Sequence, residues 1–190
     1  MRVAAIAVLA VVVAGCATTA QSRGERALVR GDFPAALAEF QAALAEHPER
    51  VSALQGLAIA QYKTGALAAA ATGFEQVLAE APQNGTALLY GGLVALQQRQ
   101  DDVAAERLGR FRILEPDPRF GAQVDRALAL VRAQPVSDEV RAFVATSIED
   151  AARATLEVRA AQSEAARAWA LSFAYPVRCY PTRRGGLVCS

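Results

Sequence analysis

A period of 34 residues constrains the fold of this chain more than any other feature. Prolines recur at this interval, and so do an alanine, a large apolar residue and a turn residue. The positions are Pro48, Pro82 and Pro116; Ala36, Ala70 and Ala104; Phe40, Phe74 and Leu108; and Gly31, Gly65 and Arg99. A fixed period of this length indicates stacked copies of one supersecondary unit. An alanine-rich composition with 6% aromatic residues favours helices within each unit.

Turn and capping residues divide each unit into two helices. We predict helices at about 23–30 and 33–46, at about 50–63 and 67–80, and a third pair that ends before Pro116. Gly31 is expected to end its helix as a left-handed residue. Ser22 and Glu25 have the spacing of a capping box, which predicts that the first helix starts there. Asp101 and the residue after it are predicted to cap the last helix of the third unit.

These units resemble tetratricopeptide repeats. The matching residues are Gly24, Ala36, Phe40, Ala43 and Pro48; Leu54, Leu57, Ala58, Ala70, Phe74 and Pro82; and Leu88, Gly92, Ala104 and Pro116. The resemblance covers about residues 18–118, and we assign residues 23–118 to three such repeats. It implies an all-α solenoid of helical hairpins that works as a scaffold for protein–protein interaction.

The resemblance also implies where a partner binds, because the first helix of each pair lines a groove in this family. The implied groove residues are Ser52, Gln55, Ile59, Tyr62, Thr86, Leu89, Leu93 and Leu96. This groove is largely apolar and lacks the lysine and asparagine set that clamps a C-terminal carboxylate in chaperone-binding members. We therefore expect an extended or helical apolar segment of a partner protein, unless the chain's own C-terminal helix fills the groove.

Two further helices are predicted after the repeats. Asp117 and Pro118 form a helix start, which predicts a capping helix over 119–134 that covers the last apolar face. Ser137 starts a long helix, 137–174, whose apolar stripe weakens in its alanine-rich middle. Two outcomes stay open for the long helix. It packs back on the repeats and hides the groove, or it projects and pairs with a partner helix.

The N-terminus predicts a signal peptide over residues 1–15. A basic residue precedes an apolar run of eleven residues, Val3–Val13, too short to span a bilayer, which needs about 20. Val13, Ala14, Gly15 and Cys16 resemble a bacterial lipobox, which implies acylation of Cys16 by fatty acids such as palmitate and a lipidated tether over 16–22. The alternative is an ordinary signal peptide with a chance cysteine. Ala17 is not the aspartate that favours inner-membrane retention, so we expect the periplasmic face of the outer membrane.

The last segment, 175–190, is predicted to be a β-hairpin closed by a disulfide between Cys179 and Cys189. If Cys16 carries lipid, these two cysteines remain as an even pair in an oxidising compartment. Two free thiols are the alternative. Three arginines make this tail basic, which fits either a solvated turn or a contact with an anionic partner such as lipid headgroups.

No catalytic or metal-binding set is expected, and no cofactor. His47 is the only histidine, so metal sites and Ser-His-Asp catalysis lack their usual residues. A net charge of +1 argues against nucleic-acid binding. We expect a membrane-anchored scaffold that helps to assemble an envelope machine such as a pilus, a secretin or a secretion system. A cell-wall or division-linked scaffold is the alternative, and an envelope enzyme a further one.

Overall fold

The computed structural model describes residues 19–115, 117–133, 135–174, 179–181 and 187–189. These residues form eight helices and two short strands. The elements are α1 Ala20–Arg30, α2 Phe33–Glu46, α3 Val51–Lys63, α4 Leu67–Glu80, α5 Gly85–Gln97, α6 Asp101–Leu114, α7 Pro118–Ala133, α8 Asp138–Ala174, β1 Cys179–Pro181 and β2 Leu187–Cys189. The chain divides into two compact units, Met1–Val94 and Ala95–Ser190. The predicted signal peptide and Cys16 lie outside the described residues.

In the first unit, consecutive helices pack as hairpins. Helix α1 packs against α2, and α3 against α4, while α2 also packs against α3. The ring of Phe40 in α2 is fully buried and reaches close to glycines of both neighbouring helices. A Cβ atom on Gly24 would lie 3.0 Å from this ring, and one on Gly56 would lie 2.3 Å from it. The aromatic residue of the repeat therefore fits only because these two positions carry no side chain.

The first helix begins earlier than the capping-box prediction, which is wrong. Thr19 is the N-cap, and its hydroxyl accepts a hydrogen bond from the backbone N–H of Ser22 at 3.2 Å. Glu25 does not reach back to the helix start, because its carboxylate accepts a hydrogen bond from the Gln21 amide at 2.9 Å. The threonine satisfies a backbone donor that would otherwise lack a partner in the first turn.

The turn residues of the period share one backbone conformation. Gly31 and Gly65 have φ values of +74° and +80°, and Arg99 has a φ of +63°. This left-handed conformation costs an L-residue about 1–2 kcal/mol, which glycine avoids. Arg99 adopts it nonetheless, and its guanidinium contacts the Asp138 carboxylate of α8 at 2.8 Å. In the third turn, an arginine therefore replaces the glycine that this backbone conformation favours, and its side chain contacts Asp138 of α8.

In the second unit, α7 packs against both α6 and α8. The Gln123 amide of α7 donates to the backbone carbonyl and to the hydroxyl of Ser147 in α8, each at 2.9 Å. Helix α8 is much longer than α7 (37 against 16 residues), so it continues beyond their contact. Its first part is buried on one side, whereas every residue from Ala160 to Trp169 is exposed.

The buried face of α8 has the same spacing as the second helices of the three predicted repeats. In each case three buried residues follow one another at intervals of four and then three. The sets are Ala36, Phe40 and Ala43; Ala70, Phe74 and Val77; Ala104, Leu108 and Phe111; and Arg141, Ala145 and Ile148. The set in α8 comes three residues later than the 34-residue period requires. An arginine therefore stands where the other three helices carry an alanine.

The two strands pair antiparallel, with Cys179 opposite Cys189. Directly opposed residues of an antiparallel pair have Cα atoms about 4.5–5.5 Å apart, within the range that a disulfide spans. The backbone register is therefore compatible with the predicted disulfide, which stays a prediction.

Candidate protein-interaction surface

Helix α3 presents the clearest part of the predicted groove. Ser52 is exposed, and Gln55 and Ile59 are half-buried. Spacings of three and four residues place these side chains on one face of the helix. Tyr62, the fourth predicted residue, is buried because its ring packs against Tyr90 of α5 at a centroid distance of 5.5 Å. A partner can therefore reach an apolar side chain with polar neighbours on α3.

Helix α1 extends this face. The Gln21 amide donates a hydrogen bond to the Ser52 hydroxyl at 2.9 Å, and the Arg50 guanidinium donates to the Gln21 amide oxygen at 3.2 Å. Gln21 and Glu25 lie 34 residues before Gln55 and Ile59, so they hold the equivalent positions of the first repeat. The sequence analysis missed both residues, although the period could have identified them. We call Gln21, Glu25, Ser52, Gln55 and Ile59 the α1–α3 face.

Helix α5 contributes little accessible surface. Thr86 is half-buried, whereas Leu89, Leu93 and Leu96 are buried, the last two completely. The reason is visible in the segment Gly85–Gln97, which contains no charged residue. A helix that is apolar on all sides is buried on all sides. The leucines predicted to line the groove are therefore covered in this structure.

The start of α8 lies against the end of α5. The buried guanidinium of Arg141 donates to the backbone carbonyl of Leu96 at 3.1 Å. It also forms a two-pronged ion pair with Asp101, at 2.5 Å and 3.2 Å. Asp101 was predicted to cap α6, but Gln100 is the N-cap residue and the Asp101 carboxylate binds Arg141 instead. At Leu96, the chain's own long helix therefore contacts one of the predicted groove residues.

The remainder of α8 is more exposed than its start. Val144 and Ile148 of its apolar stripe are buried. Val158 and Trp169 of the same stripe are 56% and 69% exposed. Next to Val158, the Arg159 guanidinium forms an ion pair with Glu115. The first half packs on its unit, and the second half leaves it.

Because of the ion pair between Asp101 and Arg141, we expect the stability of the protein to depend on pH. Hydrogen bonding from Arg141, reinforced by its charge, holds the pKa of the Asp101 carboxyl below its usual value, and burial opposes this only in part. A carboxyl with a depressed pKa in the folded protein stabilises it above the pKa of the unfolded chain, about 3.9. We expect this contribution to disappear as the pH falls from about 4 through the folded pKa. Urea denaturation at a series of pH values measures it, and Asp101→Asn should be less stable at pH 7 and less sensitive to acid.

The described residues offer neither a metal site nor a membrane span. No group of three or more His, Cys, Asp or Glu side chains lies close enough among them to hold a metal ion. Over the same residues, no helix combines the length and the apolar character that a bilayer crossing requires.

Comparison with known proteins finds a family match for part of the repeated segment. Residues 22–85 match the family described as Tetratricopeptide repeat. This match contains α2 to α4 and all of α1 except its first two residues, so it includes the α1–α3 face apart from Gln21. The solved complex of the TPR2B domain of yeast Sti1 with pHsp70 is similar to the chain, with a TM-score of 0.48 and 16% identity over 67% of this chain and 94% of that one. No curated protein matches the chain. The tetratricopeptide match over residues 22–85 suggests a scaffold for protein–protein interaction.

Proposed function

We propose that this protein is a lipid-anchored scaffold that holds a protein partner on the α1–α3 face, in the periplasm at the outer membrane. The observation that carries the proposal is the Gln21–Ser52 hydrogen bond, because it joins the groove-lining helices of two successive hairpins into one surface. Apart from Gln21, which immediately precedes it, this surface lies within the segment that matches the tetratricopeptide repeat.

The chemistry of the α1–α3 face defines the partner segment. Ile59 offers an apolar contact, and Gln55 beside it offers amide groups. Gln21 and Glu25 form a polar end, and the Glu25 carboxylate is exposed. We therefore propose that the partner docks an extended or helical segment with one apolar anchor side chain, followed by a basic or hydrogen-bonding residue toward α1.

The location of the scaffold rests on the sequence. Acylation of Cys16, in the lipobox-like segment, would place α1 four residues beyond the anchored cysteine. Stable anchoring takes more than one acyl chain, and a triacylated cysteine provides it. The Cys179–Cys189 disulfide would form in the same oxidising compartment. Within the envelope we propose assembly of a pilus, a secretin or a secretion system, and a cell-wall or division-linked scaffold is the second candidate.

Crosslinking in intact cells tests the binding surface. A photo-reactive residue at Gln55 should trap an envelope protein that mass spectrometry identifies, whereas the same residue at Ala38, which is exposed on α2, should not trap it. Ile59→Glu should remove the crosslink at Gln55 and keep the helical circular dichroism signal, since Ile59 is only half-buried. A crosslink that persists in the Ile59→Glu protein, or that forms equally well at Ala38, refutes the assignment of this surface.

Membrane fractionation tests the anchor independently. Cys16→Ser protein should lose its association with the outer membrane, because the acyl acceptor is absent. Labelling of the native protein with a thiol reagent should modify Cys179 and Cys189 only after reduction. Outer-membrane association of the Cys16→Ser protein would contradict the anchor, and labelling without reductant would contradict the disulfide. Neither result bears on the α1–α3 face.

A further inference from the structure

A cleft lies between α3 and α4, away from the α1–α3 face. It has a volume of about 310 Å³, and its lining contains no ionisable side chain. The lining residues are Leu54, Leu57, Gln61, Ala69, Thr72, Gly73 and Gln76. Leu54, Leu57 and Gln61 lie on roughly the opposite side of α3 from Ser52 and Ile59, because successive helical residues are about 100° apart. The cleft is therefore a separate surface.

The absence of a side chain at Gly73 opens this cleft. A Cβ atom at Gly73 would lie 2.8 Å from the Cβ of Ala58, so α3 and α4 approach closely at this point. The same Cβ would lie 3.7 Å from the Gln61 side-chain oxygen, which places the Gln61 amide at the cleft.

The first hairpin fills the equivalent space with an ion pair. Arg23 and Glu39 lie 34 residues before Leu57 and Gly73. The Arg23 guanidinium contacts the Glu39 carboxylate at 2.8–2.9 Å, and the pair is partly covered. The second hairpin thus replaces two charged side chains by a leucine and a glycine, and the result is an open apolar floor instead of a closed polar surface.

The rim of the cleft carries a polar group that lacks a partner. Gln61 is half-buried, and within the described part of the chain no hydrogen bond involves its side-chain amide. A primary amide both donates and accepts, as a peptide group does, so the two can form a reciprocal pair of hydrogen bonds. An uncharged apolar side chain fits the floor, because burying a charge there without a partner would be costly.

We propose that the α3–α4 cleft is a second docking site, which binds an aliphatic side chain of an extended peptide segment while the Gln61 amide hydrogen-bonds to the peptide backbone. The ligand class is an uncharged, leucine-like residue in a peptide, and the site acts on the side of α3 opposite to the α1–α3 face. The inference stands whether or not the α1–α3 face binds a partner.

Methyl and side-chain amide NMR of the protein in lipid nanodiscs tests the proposal with two probes, N-acetyl-leucinamide and N-acetyl-lysinamide. The leucine probe should shift the methyl resonances of Leu54 and Leu57 and the amide resonances of Gln61, in a saturable manner, and the lysine probe should not. Thr72→Trp should abolish these shifts, because Thr72 is exposed at the rim and a tryptophan there covers the cleft without entering the core. Ala38→Trp, at the equivalent position of the first hairpin, should leave them unchanged.

Three results would overturn the proposal: no shift with the leucine probe, equal shifts with both probes, or shifts that persist in the Thr72→Trp protein. Crosslinking from Gln55 provides the distinction from the α1–α3 face, since Thr72→Trp should not change it.

Discussion

Gly56→Ala is expected to destabilise the first unit by about 3 kcal/mol, at the upper end of the cost of overpacking a core. The added Cβ would lie 2.3 Å from the Phe40 ring, far inside contact distance. The ring cannot easily move away, because it is 1% exposed and a Cβ at Gly24 would already lie 3.0 Å from it. Protein interiors are close-packed, so the strain must spread into α1, α2 and α3.

Gly109→Ala provides the matched control. Gly109 lies inside α6, and a Cβ atom there meets no other atom within 4 Å. The same substitution should therefore stabilise the protein by about 0.5–1 kcal/mol through helix propensity alone. Chemical denaturation followed by circular dichroism measures both variants. A Gly56→Ala protein that is as stable as the parent would show that the helices do not cross at Phe40 as described.

Arg141→Ala is expected to destabilise the second unit by about 3 kcal/mol, the lower end of the cost of breaking a buried ion pair. The Arg141 side chain is 6% exposed, and it binds both the Asp101 carboxylate and the carbonyl of Leu96. Its removal leaves a partly covered carboxylate without its partner, and the Leu96 carbonyl keeps only the hydrogen bond from the Arg99 backbone N–H at 3.3 Å. Asp101 retains 24% exposure, so water can relieve part of the loss.

A double-mutant cycle separates the charge from the packing. Arg141→Ala together with Asp101→Ala should recover part of the stability lost in Arg141→Ala alone, because no charge then stays unpaired. Arg99→Ala is the control, since the Arg99–Asp138 pair is exposed and such pairs contribute about 0–1 kcal/mol. Equal losses for the Arg99 and Arg141 variants would mean that the buried pair stabilises α8 no more than a surface contact does. Denaturation monitored by a probe in the second unit provides the comparison.

The sequence was sufficient for the helices and for their repeated arrangement. A helix boundary depends on residues close to it: Gly31 and Gly65 end their helices because they adopt positive φ, and Asp117 starts α7 by accepting hydrogen bonds from the N–H groups of Arg119 and Phe120. The 34-residue period then aligns one hairpin with the next. The all-helical repeat fold follows from these local signals, and the match over residues 22–85 agrees with it.

The accessible surface was harder to predict, because it depends on contacts between distant residues. The groove residues were taken by register alone, and register does not reveal that α5 is apolar on every side and therefore buried. Asp101 illustrates the same difficulty. Its position at a helix start predicts a capping residue, but its carboxylate binds Arg141, which lies 40 residues later in the chain. The buried residues of α8 begin three residues later than the 34-residue period requires, so the period does not point to Arg141.

The length of the exposed part of α8 determines how far the end of this helix lies from its packed start. Ala152 is the last buried residue of this helix up to Trp169, and the helix ends at Ala174, which at about 1.5 Å per residue is about 33 Å beyond Ala152 along the axis. A helix is a semi-rigid spacer, unlike a flexible linker of the same length. A ligand bound at the far end of α8 would therefore be kept near a fixed radius from the helices that pack on the start of α8, and its local concentration would be set by the length of α8. Inserting or deleting whole turns would change this radius in steps of about 5.4 Å and leave the packed helices intact.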